Sequence, residues 1–332
     1  MEREVRERID NGNDQTWFMI VNPKANGGKA LLEMPKISKY LHDEEVACDP
    51  HFTERKYHAS ELAVTAVTKG YRKIIVVGGD GTMHEVVNGL FVQQVVDPHD
   101  VTIAFIGVGT GGNWLLNFGF KEGGYHEVIK AIKAECISYQ DIGIVNYEEA
   151  LFRQDRYMVS VGGTGFDSYA VKRFSHRLMK GNRSKIAYLW SLLNSYIRYK
   201  HKGVKIYADG ELVYNGLLFS AAVGVGRYNI GGVQQLPNAI SDDGLLDMTI
   251  FRPIHFWHIM FRFLYLYDGN LYRIGHAEHH RARHIRIESI PEMSVEIDGE
   301  VLGDTPLEFS VMDKALKIIV SPNYLKQGVI SK

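Results

Sequence analysis

The chain is poor in cysteine, in net charge and in long apolar runs, and each shortage excludes a class of protein. Only Cys48 and Cys136 are cysteines among 332 residues. That rules out a disulfide scaffold and a cysteine-based zinc site, and it fits a reducing compartment. Lysine and arginine number 38 against 39 for aspartate and glutamate, a formal charge of −1. A broad nucleic-acid footprint needs a large basic excess on at least one domain, so nucleic acid is not expected as a partner. The longest apolar stretch, Phe256–Tyr267, contains His258 and Arg262 and is too short to span a bilayer. Residues 1–15 are charged throughout and carry no apolar segment, so they read as a loose tail without a secretory signal. The expected location is cytoplasmic.

What the chain does have is glycine and a globular balance of residues. Its 45% hydrophobic and 23% charged composition is that of a folded protein, and its length suggests roughly two domains of about 150 residues. Glycine occurs 33 times, above the usual ~7%, and much of it follows apolar runs. In the first half, strand signals at Trp17–Asn22, Ala47–Thr53, Lys73–Val77 and Val101–Ile106 alternate with helical ones. The helices are Ala30–Leu41 (interrupted by Pro35), Ala59–Lys69, Met83–Leu90 and Tyr125–Ala134. Such alternation predicts a parallel sheet with helices on both faces, with ligands beyond the carboxyl ends of the strands. From a boundary near Asp141 onward the pattern changes. Lys202–Ser220 alternates around Asp209-Gly210 and Ser294–Val311 around Asp298-Gly299, two hairpin signals. Arg156–Val161, Leu245–Phe251 and His284–Glu288 add further strands, so this half reads as antiparallel β.

Three glycine turns carry the chemistry. Asn22-Pro-Lys-Ala-Asn-Gly-Gly-Lys29 offers freed backbone amides and two lysines, either a phosphate cradle or a tight turn with solvated lysines. It lacks the Ser or Thr of a Walker A loop. Gly78-Gly-Asp-Gly-Thr82 joins a buried strand to a helix. Asp80 in a phosphate site would act through a metal or a proton; as a plain turn residue it would cap the helix. Gly107-Val-Gly-Thr-Gly-Gly112 fits G-x-G-x-x-G by letter, but the acidic residue that a dinucleotide fold places about 20 residues later is missing.

In order along the chain, NPKANGGKA (22–30), GGDGTMHEVVNGL (78–90), GVGTGG (107–112), DIG (141–143), GGTGFD (162–167), SDDGLLD (241–247) and IDGE (297–300) resemble the motifs of diacylglycerol-kinase-type lipid kinases. That family includes bacterial lipid kinases and the sphingosine and ceramide kinases, with NAD kinases and phosphofructokinases as remoter relatives. The resemblance runs from about Trp17 to Ser321. It implies an α/β domain with a doubly wound parallel sheet at 16–140, NAD-kinase- and phosphofructokinase-like, completed by 319–332. An antiparallel β-sandwich lipid domain would occupy 141–318, with ATP in the cleft between the two. Carried over by position, Gly78, Gly79, Asp80, Gly81, Thr82, Met83 and His84 would wrap the ATP phosphates. Thr53 and Thr110 would also contact nucleotide, with Asn22 and Lys24 nearby. Glu300 matches the proton acceptor for the lipid hydroxyl. Asp243, with the backbone carbonyls of Ile240 and Leu245, matches a structural Mg²⁺ site. Asp80 and Asp141 match two of three aspartates that organise the catalytic Mg²⁺ through water.

The third aspartate is where this chain departs. The family reads G-T-x-N-D-F, and an ungapped match puts Gly112 on the Asn and Asn113 on the Asp. Asn113 can hydrogen-bond a metal-bound water but adds no negative charge, so on this reading Asn113→Asp would lower the Mg²⁺ requirement. The function implied is an ATP- and Mg²⁺-dependent lipid kinase acting on diacylglycerol or a long-chain base. Its partner would be a lipid at a membrane surface, with peripheral attachment and a homodimer left open. An NAD-kinase-type enzyme and a non-catalytic lipid-binding relative are the competing classes; a dehydrogenase ranks last.

Two weaker signals remain. His276, His279, His280 and His284 cluster with Glu278, but Arg273, Arg281, Arg283 and Arg286 are interleaved and oppose a cation, so a solvated basic segment is expected. In His255–Tyr267 the polar residues fall on one helical stripe. That helix would either pack on the sandwich or dock at a bilayer through Trp257, Phe261 and Leu264 beside Arg281–Arg286.

Overall fold

A computed structural model of the chain describes residues 15–109, 112–149, 152–178, 194–229, 232–255 and 263–330. The chain divides into two compact units, Met1–Asp141 with Asp313–Lys332, and Ile142–Met312.

The first unit is built on a parallel sheet. Strands β1 (Trp17–Val21), β2 (Cys48–Phe52), β3 (Lys73–Gly78) and β4 (Thr102–Gly107) pair in the order β4-β3-β1-β2, all parallel. β1 and β4 are buried along their whole length, as is β3 after Lys73; strands covered on both faces are continuous apolar runs rather than alternating ones. Helices α1 (Ala25–Asp43), α2 (His58–Thr68), α3 (Asp80–Val92), α4 (Asn113–Leu116) and α5 (Tyr125–Lys133) connect them. Asn26, Gly27 and Gly28 at the head of α1 have left-handed φ of 48°, 71° and 91°. The regular helix therefore begins beyond them, where the sequence pattern places it. Pro35 lies inside α1 and costs it one ladder bond without ending it. α2 and α3 approach closely, since a Cβ on Gly89 would lie 2.4 Å from the Ser60 carbonyl oxygen.

The second unit is antiparallel. β5 (Ile137–Glu149) leads into it, followed by β6 (Phe152–Met158), β7 (Val161–Gly165), α6 (Phe166–Leu178), β8 (Lys202–Ala208), β9 (Glu211–Leu218) and β10 (Ser220–Gly224). Then come the two-residue strands β11 (Tyr228–Asn229) and β12 (Val233–Gln234), then β13 (Leu246–Phe251), β14 (Ala277–Ala282), β15 (His284–Ile290), β16 (Ser294–Ile297) and β17 (Glu300–Ile319). One layer runs β14-β13-β10-β7-β16-β17; β17 also pairs with β15, which pairs with β8, and β8 with β9. A main core of Val145, Met158, Ile206, Val223, Met248, Ile287, Val295 and Phe309, among others, fills the sandwich, with smaller apolar clusters around Phe219 and Leu236. Both Asp-Gly turns form as the sequence predicts. Asp209 and Gly210 have φ of 47° and 86°, Asp298 and Gly299 of 47° and 91°, the doubly left-handed turn that matches strand twist. The last residues of β17 return to the first unit, where Lys317 and Ile318 pair in parallel with Thr102 and Ile103 of β4, followed by α7 (Pro322–Ile330).

One expectation is corrected. The His/Arg-rich segment is not a solvated lead-in but β14, half-buried and paired with β13. Its charges are matched: His279 Nε2 sits 2.6 Å from Asp247 Oδ1, Arg281 Nε 3.4 Å from Asp247 Oδ2, and Arg252 pairs with Glu278. Trp257 and Phe261 lie outside the described residues, and Leu264 falls in a short 3-10 turn, Phe263–Leu266, whose first two side chains are not described. No helix among the described residues is long and apolar enough to cross a membrane.

Candidate active site

The parallel sheet brings the three glycine turns of the first unit to one end. The Asn22 amide donates to the Val77 carbonyl at 2.9 Å, Val108 to Gly78 at 2.8 Å, and Thr53 to Val21 at 2.8 Å. The chain segments leaving β1, β2, β3 and β4 are thereby tied side by side at the carboxyl ends of the strands. Asn22 Nδ2 donates to Thr82 Oγ1 at 3.0 Å, linking the first turn to the start of α3. A Cβ on Gly78 would meet Thr82 Oγ1 at 2.6 Å, and one on Gly109 (φ +73°) would meet Asn26 Nδ2 at 1.7 Å. These glycines are needed so that the turns can touch one another. Around Gly81, by contrast, a Cβ would meet nothing within 4 Å, so the opening of α3 faces free space.

That opening is where a helix offers backbone donors and positive potential to an anion. Thr82 and Met83 donate to the Gly79 carbonyl at 2.9 and 3.2 Å, which leaves the earlier amides of the turn outside the helical ladder. Met83 and His84 are buried, and Asn88 Nδ2 donates to the His84 carbonyl at 2.9 Å; their side chains anchor the helix. The Lys24 amide donates to Asn22 Oδ1 at 3.1 Å and its ammonium to the Glu54 carbonyl at 3.4 Å. Thr53 is buried at the end of β2. Thr110 lies outside the described residues.

Asp80 is tied to the third turn. Its Oδ2 accepts from the Asn113 backbone and side-chain amides, both at 3.2 Å, and its Oδ1 from the Trp114 amide at 3.2 Å. The carboxylate thus caps α4 rather than its own helix. It also explains the departure at Asn113: an amide there donates to Asp80, where a second carboxylate would repel it. Trp114, packed against Phe105 and Phe118 and bonded through Nε1 to Gln140 Oε1 at 3.0 Å, fixes α4 from behind. Asp141 is fully buried, and its Oδ1 accepts from the Lys314 amide at 2.7 Å.

In the second unit, Glu300 follows the Asp298-Gly299 turn. Its side chain is only 18% exposed and its Oε2 receives Arg156 Nη2 at 3.1 Å, so it is not a turn carboxylate in bulk solvent. The Asp298 carboxylate accepts the backbone amides of Val159 (2.8 Å), Ser160 (2.9 Å) and Val161 (3.2 Å), which seats the turn on the β6–β7 connection. Asp243 Oδ1 accepts from the Leu245 amide at 3.2 Å, while its other oxygen meets the Arg281 guanidinium. Arg281 therefore supplies the positive charge beside this loop; Ile240 is exposed and Leu245 half-buried.

Two family models match the chain. One is the diacylglycerol kinase catalytic domain, over residues 16–145, and the other the YegS C-terminal NAD kinase beta sandwich-like domain, over 159–320. The chain belongs to the diacylglycerol-kinase-type lipid kinase family. It is 26% identical over 263 residues to a diacylglycerol kinase of Mycobacterium tuberculosis, covering 79% of this chain and 81% of that one. A crystal structure of a diacylglycerol kinase from Bacillus anthracis superposes with a TM-score of 0.69 at 23% identity, over 93% of this chain and 98% of that chain. The yeast NADH kinase shares the fold at 12% identity and a TM-score of 0.55, over 96% and 87% of the two chains.

Within this lipid kinase frame the sequence reading missed several residues. Arg156, the partner of Glu300, lies 144 residues away, and no local pattern announces it. Gln140 and Asp298 were likewise unmarked, although Asp298 belongs to the IDGE string. Among the described residues no three His, Cys, Asp or Glu converge to hold a bare metal ion. Mg²⁺ in phosphoryl-transfer sites is held by one or two carboxylates together with substrate phosphates and waters. Asp80, a carboxylate beside the open turn, fits such a role.

Proposed function

We propose that this lipid kinase uses ATP and Mg²⁺ to phosphorylate a hydroxyl of diacylglycerol or a closely related lipid. The observation that carries the reading is the tying of three glycine turns around an open helix start, with Asp80 at its edge. Phosphoryl transfer asks chiefly for positioning and charge neutralisation. Backbone amides of the turn ahead of Thr82 suit the phosphates, and the Asn22–Thr82 hydrogen bond keeps that turn in shape. When bound, Mg²⁺ supplies charge neutralisation at the phosphates, and Asp80 and Asp141 would act on its waters. Glu300 takes the proton that the lipid hydroxyl releases, with Arg156 holding its carboxylate in place. Asp243, Ile240 and Leu245 remain the proposed structural Mg²⁺ loop only if Arg281 gives way.

The test is incubation of purified protein with labelled ATP, Mg²⁺ and, separately, diacylglycerol, sphingosine, ceramide, monoacylglycerol, phosphatidylglycerol and NAD. Label on diacylglycerol supports the reading, label on sphingosine moves the enzyme to the long-chain-base branch, and label on NAD alone overturns it. Vesicle co-sedimentation in the same mixtures tests peripheral attachment, which should rise with anionic lipid and fall with salt.

A further inference from the structure

Two residues before the Asp298-Gly299 turn, Glu296 points away from the sandwich core. On β16 its neighbours Val295 and Ile297 face that core, so Glu296 lies on the opposite face, against α6. It is 0% exposed. Oε1 accepts the backbone amide of Gly299, the second central residue of the turn, and the Asn229 side chain also hydrogen-bonds the carboxyl group. The flanking strands present Gly163 and Val301, and neither brings a charge. The charged groups facing Glu296 are both acids: Asp167 in the first turn of α6 and Asp298 in the following turn.

This is not an isolated pair but a connected polar layer. Asp167 Oδ2 accepts from Ser220 Oγ at 2.5 Å and from Gln235 Nε2 at 3.0 Å. Gln235 Oε1 in turn accepts from Asn229 Nδ2 at 2.6 Å, and Asn229 also interacts with Glu296. No cation belongs to the layer as described. Two buried carboxylates here, with a third at Asp298, cannot all ionise at low cost. Burial above all, and then the charges of Asp167 and Asp298, push Glu296 up to about 8; burial also raises Asp167.

We infer that Glu296 is a positioning residue for the proposed base: it pins the Gly299 amide and so fixes the turn from which Glu300 projects. This rests on the reading of Glu300 as proton acceptor. The turn is held from two sides, by Asp298 on the amides of 159–161 and by Glu296 on Gly299. Glu300 is then aimed by Arg156. Ionising Glu296 would keep its donors but place a new charge beside Asp167 and Asp298. That repulsion acts on the turn that Asp298 seats.

The experiment compares wild type with Glu296→Gln and Glu296→Leu, reading Gly299 amide exchange and steady-state kinetics from pH 6 to 9.5. Glutamine keeps a carbonyl acceptor without a titrating proton; leucine removes the acceptor. At pH 7, Glu296→Gln should hold kcat and Gly299 protection within about threefold of wild type. Glu296→Leu should lose about tenfold or more in both, with KM for ATP unchanged, since small misplacement of a reacting group is costly. Above pH 8 the wild-type kcat should fall while that of Glu296→Gln does not. If Glu296→Gln is as defective as Glu296→Leu at pH 7, or Gly299 exchanges alike in all three proteins, the inference fails. If wild type phosphorylates no lipid, the enzyme reading falls, and the exchange data alone decide whether Glu296 pins the turn. Should Glu296→Leu not fold, the glutamine variant and the wild-type pH profile still decide it.

Discussion

The two units hold their candidate residues by different means. In the first, backbone amides, two asparagines and one threonine knit the glycine turns, and the Asp80 carboxylate is satisfied by three N–H donors. In the second, the turn bearing Glu300 rests on carboxylates that are buried or paired: Glu296, Asp298, and Glu300 on Arg156. The first arrangement is intolerant of added atoms where its glycine turns touch, and the second responds to protons through buried Glu296.

The comparison breaks most visibly at Asp80. Asp80→Asn should cut transfer by about 10²–10³, as loss of a preorganised electrostatic group does in other active sites. A circular dichroism melt should show the fold retained, and near-normal kinetics would mean that Asp80 serves only to cap α4. Gly109→Ala tests intolerance of added atoms. Its Cβ would overlap the Asn26 side chain at a left-handed φ, so about 1–3 kcal/mol of stability should be lost, read by urea denaturation.

Glu296→Gln sharpens the contrast in pH response. The unfolded chain releases this proton near the ordinary 4.5 and the folded protein near about 8. Its contribution to stability is therefore full below 4.5, declines as pH rises, and is gone above about 8. The decline is at most about 1.4 kcal/mol per pH unit. Wild type should lose melting temperature across that window faster than Glu296→Gln, and parallel curves would reject the assignment. The smallest effect is expected at Asn113. Asn113→Asp sets a carboxylate against Asp80, with the side-chain donor gone, so it should cost about 1–2 kcal/mol of stability without Mg²⁺. A bound cation would relieve that repulsion, so a Mg²⁺ titration at fixed ATP should show a lower requirement, and an unchanged or higher one rejects a metal-facing role for this position.

Legibility in the sequence follows the same division. β1, β3 and β4 are apolar runs, the last two ending on glycine, and the predicted bounds of β1–β4 fall within a residue or two. The Asp-Gly hairpins were equally plain, because only a few residues accept two left-handed positions in succession. What stayed hidden depends on distant partners. β14 looked like a basic solvent-exposed segment because Asp243 and Asp247, which neutralise it, lie more than 30 residues upstream. α6 begins at Phe166 directly after β7, inside the glycine-rich GGTGFD string, where no helical spacing announces it. Glu296 looked like an ordinary strand glutamate, since alternation places it opposite the apolar core and nothing local reveals the helix that covers it.

The 20-residue strand β17 also sets an order of events during synthesis. The segment up to Asp141 is synthesised before Ile142–Met312, yet β4, paired with β3 on one side, lacks its second neighbour until Lys317 and Ile318 arrive. Asp141 waits equally long for the Lys314 amide, as do Cys136 and Phe118 for the amides of Val320 and Ser321. An unpaired apolar strand edge is a template for wrong pairing. The unit that begins first is therefore finished last, and the nascent chain carries an open sheet edge through the whole translation of the second unit.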